Sequence, residues 1–189
     1  MPKEADVIAL NDVDTKIHNI KHALKHLNSN VDLIYCRLKV SNGPQVMFYR
    51  ILDPIRKRLH VAASGELMLI RREVFERLLP LPPCTAEDSY ILFKALELGY
   101  HALFCTQTYV TTDRTANAQE EEAYKARTTF GIYQALRHTR PSPWIRAFYT
   151  VLPIIAPLLA LASEDGRAWV RGIQKAVKAH ITKEPPAML

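Results

Sequence analysis

Apolar and polar positions along the chain change period several times, and each change marks an element. Residues 6 to 10, DVIAL, form a short apolar run rich in β-branched side chains that stops at Asn11, Asp12, Val13 and Asp14. Such a run predicts a buried strand with acids at its exit. From Thr15 the spacing becomes Ile17, Ile20, Leu24 and Leu27, one face of a helix, with Asp14 or Thr15 placed to cap it and an end near Asn28-Ser29-Asn30. Residues 31 to 40, VDLIYCRLKV, predict a second strand, and SNGP at 41 to 44 a turn. Between 45 and 59, Met47, Tyr49, Ile51 and Leu52 mix two periods and Pro54 interrupts, which predicts a helical or irregular connector. GELMLIRR then predicts a strand, and EVFERL a short helix.

Beyond the rigid loop PLPP, the segment AEDSYILFKALELGY carries Ile91, Leu92, Ala95, Leu96 and Leu98 at helical spacing, with Gly99 where a helix-ending residue belongs. HALFC and TYVTT predict two short strands, and AQEEEAYKARTTFGIYQALR a long helix with acids in its first turn and Arg137 in its last. This alternation predicts an α/β fold, and no internal repeat or low-complexity tract interrupts it.

Composition narrows the setting. A chain of 189 residues with 48% hydrophobic content has room for one domain plus a tail. The net charge of +6 is uneven: Arg137, Arg140, Arg146, Arg167, Arg171, Lys175, Lys178 and Lys183 face only Glu164 and Asp165 between 137 and 183. That stretch calls for an anionic neighbour. Basic strands interleaved with aromatics are missing, so the pattern favours a lipid surface over nucleic acid. Cys36, Cys84 and Cys105 are widely spaced, which indicates neither a disulfide framework nor a zinc site and fits a reduced, cytosolic setting. The opening MPKEADVIALNDVD carries Glu4 and Asp6 and no long apolar run, so it does not read as a secretory signal.

Three clusters can carry chemistry. In Asp12-Val13-Asp14, continued strand geometry would turn both carboxylates to one side, where they can clamp Mg²⁺ or Mn²⁺ bridging the diphosphate of a nucleotide-sugar. The plainer reading is an acidic turn after a strand. Glu87-Asp88 opens a helix, where peptide N–H groups and the macrodipole favour carboxylates, and an ionised Asp88 at a cleft rim can accept an acceptor hydroxyl's proton. Ordinary first-turn acids give the same pattern. Lys125 and Arg127, with Gly131 beyond them, can offset charge on a departing diphosphate, or be solvated helix charges in i, i+4 pairs such as Glu121 with Lys125. His18, His22 and His26 recur every four residues but fall beside the Ile17, Ile20, Leu24, Leu27 stripe, so they read as a solvated face rather than a metal site.

Taken in order, NDVD, ASGELMLIRREVFERL, AEDSYILFKALELGY and YKARTTFGIYQAL resemble family 2 glycosyltransferases of the GT-A fold across nearly the whole chain. The resemblance implies a partial GT-A, Rossmann-like mixed sheet with flanking helices. It implies that Asp12 and Asp14 bind the metal and the donor diphosphate, and that Asp88, in the Ala86-Glu87-Asp88 match to the family's TED-type motif, is the base of an inverting transfer. Gly65 falls where small residues let the backbone approach the donor sugar. Glu87, Lys125 and Arg127 fall on the donor side. The Gln-x-x-Arg-Trp motif of processive members aligns with Tyr124 to Thr128 and keeps only Arg127, which implies transfer of a single sugar. Relatives place further units that cradle the nucleotide before the DxD strand, so the expectation is a truncated enzyme, or one completed by a separate donor-binding subunit. A non-catalytic membrane-associated partner is the alternative.

The remaining expectation concerns membranes. Residues 147 to 162, AFYTVLPIIAPLLALA, are uncharged but only sixteen long. As a helix they would reach about 24 Å against a hydrocarbon core of about 30 Å. Pro153 and Pro157 would kink such a helix, so a re-entrant or interfacial segment competes with a buried core helix. After Gly166, Trp169, Val170, Ile173, Ala176, Val177 and Ile181 share one face and Arg167, Arg171, Lys175 and Lys178 another. That is the pattern of a basic amphipathic helix on an anionic leaflet, with docking on its own domain as the alternative. The expected organisation is a partial catalytic domain over 1–139 and a membrane-associated segment over 140–189. It would lie peripheral or re-entrant at the cytoplasmic face of a membrane, with a lipid-linked or glycan acceptor.

Overall fold

The computed structural model describes residues 6–27, 30–40, 45–63, 65–112, 117–161 and 164–186. Its strands are β1 (Val7–Asn11), β2 (Lys16–His18), β3 (Leu33–Val40), β4 (Leu67–Arg71) and β5 (Ala102–Thr112). Its helices are α1 (Ile20–Leu27), α2 (Gln45–Leu59), α3 (Arg72–Arg77), α4 (Glu87–Glu97), α5 (Ala118–His138), α6 (Pro143–Ile155) and α7 (Glu164–Thr182), with a 3-10 helix over Ala156–Leu161. The strands form one mixed sheet in the order β1-β4-β3-β5-β2. β3 runs parallel to β5 and antiparallel to β4, and β4 is antiparallel to β1. β1, β3 and β5 therefore point the same way.

The continuous apolar runs of β3 and β4 reflect burial on both faces. Because successive side chains alternate sides, Leu33, Tyr35, Met68 and Ile70 pack with Ile91 and Phe93 of α4 and Tyr149 of α6. Ile34, Cys36, Leu67 and Leu69 pack on the other side with Ala23 and Leu27 of α1. The three cysteines are free. Burial pushes the Cys36 thiol up to about 12, which keeps it unreactive.

Several expectations change. The helix expected from Thr15 begins only at Ile20, because Lys16 to His18 pair with the edge of β5, Ile17 opposite Val110. His18 is thereby separated from His22 and His26: its Nε2 lies 3.0 Å from the Thr111 hydroxyl and its ring stacks on Tyr109 at 4.7 Å. The two strands expected between 101 and 112 are one, β5, with a register shift that carries the pairing from Cys36–Cys105 to Arg37–Tyr109. At that irregularity the Thr108 hydroxyl accepts from the Ala23 amide and donates to the Asn19 carbonyl, anchoring α1. The connector after the SNGP turn, whose residues 41–44 lie outside the described ones, is a helix throughout, with Pro54 inside it.

The end of the chain departs furthest. The apolar stretch from 147 does not make one continuous span. It falls in α6 and the 3-10 helix, with Ile145, Tyr149 and Ala156 buried inward and Trp144, Val151, Ile154, Ile155 and Leu158 exposed. Among the described residues no helix is long and apolar enough to cross a membrane. On α7, Ala168, Trp169, Val170, Ile173, Ala176 and Ala179 are buried. Phe130 of α5 packs on Ala176 and Ala179, and Ala156 on Val170 and Ile173. Most of the stripe expected to meet lipid is thus filled by the protein itself, and Ile181 alone of the stripe stays largely exposed.

Candidate functional site

Outside the carboxyl end of β1 lies a cleft of about 690 Å³, where open α/β sheets commonly bind ligands. β1 ends at Asn11, and the Asp12 amide then donates to the Glu66 carbonyl, 3.4 Å away, just before β4 begins. The strand does not continue beyond that point. The Thr15 hydroxyl donates to the Asp12 carbonyl at 2.9 Å and closes a turn whose tip is the fully exposed Val13. Asp12 lines the cleft and Asp14 does not, so the two carboxylates lack the shared strand face that the spacing alone suggested.

Asp88 enters from the first turn of α4. A clamp fixes the preceding loop: the Thr85 amide donates to the Gln134 side chain at 2.9 Å, and the Cys84 thiol to the Gly131 carbonyl at 3.2 Å. A Cβ on Gly131 would stand 2.5 Å from the Ala86 nitrogen, so only glycine lets α5 seat that loop. On the other side, a Cβ on Gly65 would lie 3.1 Å from the Asp88 Oδ2, so the bare backbone leaves the carboxylate its place. Burial first, and then the Glu66 and Glu87 charges, raise the Asp88 carboxyl to about 6 against the opposing hydrogen bonds from Ser89. The Ser89 amide donates to Oδ1 at 2.7 Å.

Glu87, Gly65, Lys125 and Arg127 line the same cleft as Asp12 and Asp88. Asp14, expected beside Asp12 at the metal, does not line it. The pattern missed Glu66, Arg56 and Trp169, which also line the cleft. Glu66 stands beside Gly65 with no signal of its own, and Trp169 falls on the stripe that the spacing predicts to face lipid or the domain itself. Glu121, which reads from the sequence as a solvated helix charge, is buried, and its carboxylate accepts from the Trp169 indole at 2.6 Å, so this face meets protein.

The donor set suits a hard cation. Asp12, Glu66, Glu87 and Asp88 offer only oxygen ligands, and after burial the Glu66 and Glu87 charges add to the upward shift of Asp88. Among the described residues no group of three or more His, Cys, Asp or Glu forms a ready-made metal cage. One carboxylate plus ligand phosphates is the usual arrangement for Mg²⁺, and Asp12 fits it.

The sheet order, the flanking helices and a cleft beyond the strand ends make a mixed-sheet, Rossmann-like fold of the kind seen in glycosyltransferases. Among solved structures the chain is similar to the mannosyltransferase PcManGT from Pyrobaculum calidifontis in complex with GDP-Man and Mn²⁺, with a TM-score of 0.67 and 18% identity. The match covers 94% of this chain and 63% of that one. At this identity the likeness is one of fold. No family model and no curated protein matches the chain.

Proposed function

We propose that this chain is a catalytic portion of a family 2-like glycosyltransferase that moves one sugar from a nucleotide-sugar donor to a lipid-linked or glycan acceptor, with inversion. The observation that carries this reading is the placement of Asp88, a carboxyl poised near neutrality, in one cleft with Asp12, Lys125 and Arg127. The fold it shares with a protein solved with GDP-Man and Mn²⁺ supports it.

In this reading the Asp88 carboxylate takes the proton of the acceptor hydroxyl as its oxygen attacks the anomeric carbon. The bond from that carbon to the diphosphate oxygen breaks, and the electron pair leaves with the diphosphate. A base with a pKa near the working pH suits the proton transfer. Lys125 and Arg127 face the cleft where the departing charge accumulates. A divalent ion, Mg²⁺ or Mn²⁺, held through Asp12 would supply further neutralisation of the diphosphate.

The acceptor side is read as a membrane surface. Trp144, Ile154 and Leu158 are 73%, 75% and 67% exposed, and no acid occurs between Arg140 and Ser163. On the inner face of α6 the Tyr149 hydroxyl donates to the Val61 carbonyl at 2.6 Å, next to Ala62 and Ala63 of the cleft wall. A peripheral seat at the cytoplasmic leaflet would bring a lipid-linked acceptor to Asp88.

The test is turnover of nucleotide-sugars on a polyprenyl-phosphate or glycolipid acceptor, with Mn²⁺ and anionic vesicles. Asp88→Asn is expected to lower turnover at least a thousandfold while GDP binding persists. Full activity in that variant would remove Asp88 as the base. Failure of the unaltered chain to bind any nucleoside diphosphate with Mn²⁺ would remove the donor reading itself.

A further inference from the structure

α7 reaches the cleft with a single side chain. Trp169 is 3% exposed, yet it belongs to the cleft wall. Its indole N–H donates to the buried Glu121 carboxylate at 2.6 Å, and the Lys125 ammonium lies 3.9 Å from its ring centroid. Glu121 and Lys125 stand one turn apart on α5. The acid therefore fixes the plane of the ring, and the ring face receives the cation.

The backbone is built to bring α7 to this point. A Cβ on Gly172 would lie 2.7 Å from the Glu122 carbonyl oxygen and 2.8 Å from the Lys125 Cβ, so the two helices touch beside Lys125 itself. Arg171 and Lys175 both pair with Glu122, the latter at 2.6 Å, and hold the helices in that register. Filling space there would need only an apolar side chain. A buried acid bound to an indole is a costlier choice, because a desolvated carboxylate must be compensated. What it adds is a fixed ring orientation.

A lysine carries four rotatable bonds, and ordering them on ligand binding weakens affinity. An aromatic face that already holds the ammonium removes part of that cost. We propose that Trp169 is a positioning residue that holds the Lys125 ammonium toward the diphosphate of the bound donor, so that docking of α7 on α5 sets the affinity of the cleft for anions. This rests on the donor reading above. The role belongs to neither the base nor the metal side of the site, since Trp169 and Lys125 come from α7 and α5 whereas Asp88 and Asp12 come from α4 and the end of β1.

The experiment is calorimetric titration of the whole chain with GDP, and separately with inorganic pyrophosphate, both with Mn²⁺, across a double-mutant cycle. Lys125→Ala and Trp169→Leu are each expected to weaken binding about tenfold, and the double variant no more than either single one. Pyrophosphate should show the same loss as GDP, because the contact is to the diphosphate. Should Trp169→Leu fail to fold, Trp169→Phe keeps a ring but loses the bond to Glu121. It is expected to weaken binding about threefold, and only in a chain that retains Lys125. Additive losses, or unchanged binding in either Trp169 variant, would overturn the positioning role. Unchanged binding in Lys125→Ala would instead overturn the diphosphate reading of this part of the cleft, and the inference with it.

Discussion

Asp88 is the residue on which two measurements converge, because one property governs both its chemistry and its effect on stability. Its carboxyl titrates near 6 in the folded chain, against 3.8 for an ordinary aspartate. A base must be ionised to act, so kcat/KM is expected to fall as pH drops through about 6 and to level off above 7. The stability effect has the opposite sense. A carboxyl raised on folding contributes stability that is full below pH 3.8 and is lost as pH rises through 6. Asp88→Asn is therefore expected to stabilise the fold at pH 8, by on the order of 1–3 kcal/mol, and to leave it little changed at pH 3.5, as urea titration at the two values would show. Gain of stability with loss of turnover would mark a group held in a costly state for its chemistry. Gly65→Ala should act on the same carboxylate: its Cβ, 3.1 Å from Oδ2, obliges Asp88 to shift, so turnover should drop about tenfold or more with a stability change under about 1 kcal/mol.

At the scale of elements, Gly131 is the point where one helix sets the start of another. Alanine there would put a Cβ 2.5 Å from a backbone nitrogen, which no side-chain motion can relieve. Gly131→Ala is expected to cost about 1–3 kcal/mol in thermal or urea unfolding, and to lower activity further by moving Asp88. α6 offers a different test. The protein has two tryptophans, Trp144 exposed at 73% and Trp169 buried at 3%, so a blue shift on adding vesicles reports Trp144 alone. The shift is expected with anionic vesicles and to be lost in Ile154→Asp with Leu158→Asp, two exposed positions whose change should leave the fold intact. Binding that survives both changes would remove α6 as the contact.

The elements also show what the sequence could and could not disclose. β3, β4, α4 and α5 were legible because each has a clear pattern, clear end signals and a strongly buried face, whereas β1, expected as a buried strand, is an edge strand with no fully buried residue. The segment from Lys16 to His18 was not, since Ile17 satisfies the helical stripe as well as a strand, and only its distant partner Val110 decides between them. β5 was split because three residues outside the regular pairing between Cys105 and Tyr109 look locally like a turn. α7 was turned toward lipid because an amphipathic stripe has the same spacing whether protein or acyl chains cover it. That Asp12, Asp88, Lys125 and Arg127 line one cleft was an expectation from the resemblance, which their separation along the chain could not establish. The exclusion of Asp14 depended on where β1 stops pairing, which a two-residue spacing does not encode.

For the molecule as a whole, the direction of β1, β3 and β5 puts Asp12 at a strand end, and the loop before α4 brings Asp88 beside the opening of β4. The helices after residue 117 complete the cleft from the opposite side. Its chemistry is thus assembled from segments more than a hundred residues apart, and rests on one sheet whose central strands are buried on both faces. α5 holds a singular place in this assembly. Gly131 on that helix seats the loop of the proposed base, and Lys125 and Arg127 on the same helix face the place proposed for the departing anion. The two halves of the proposed reaction consequently share a single strut. Sliding or tilting it would mistune both together, so variants along its length should change pH profile and nucleotide affinity in concert, and improvement of either one alone would have to arise from positions elsewhere in the chain.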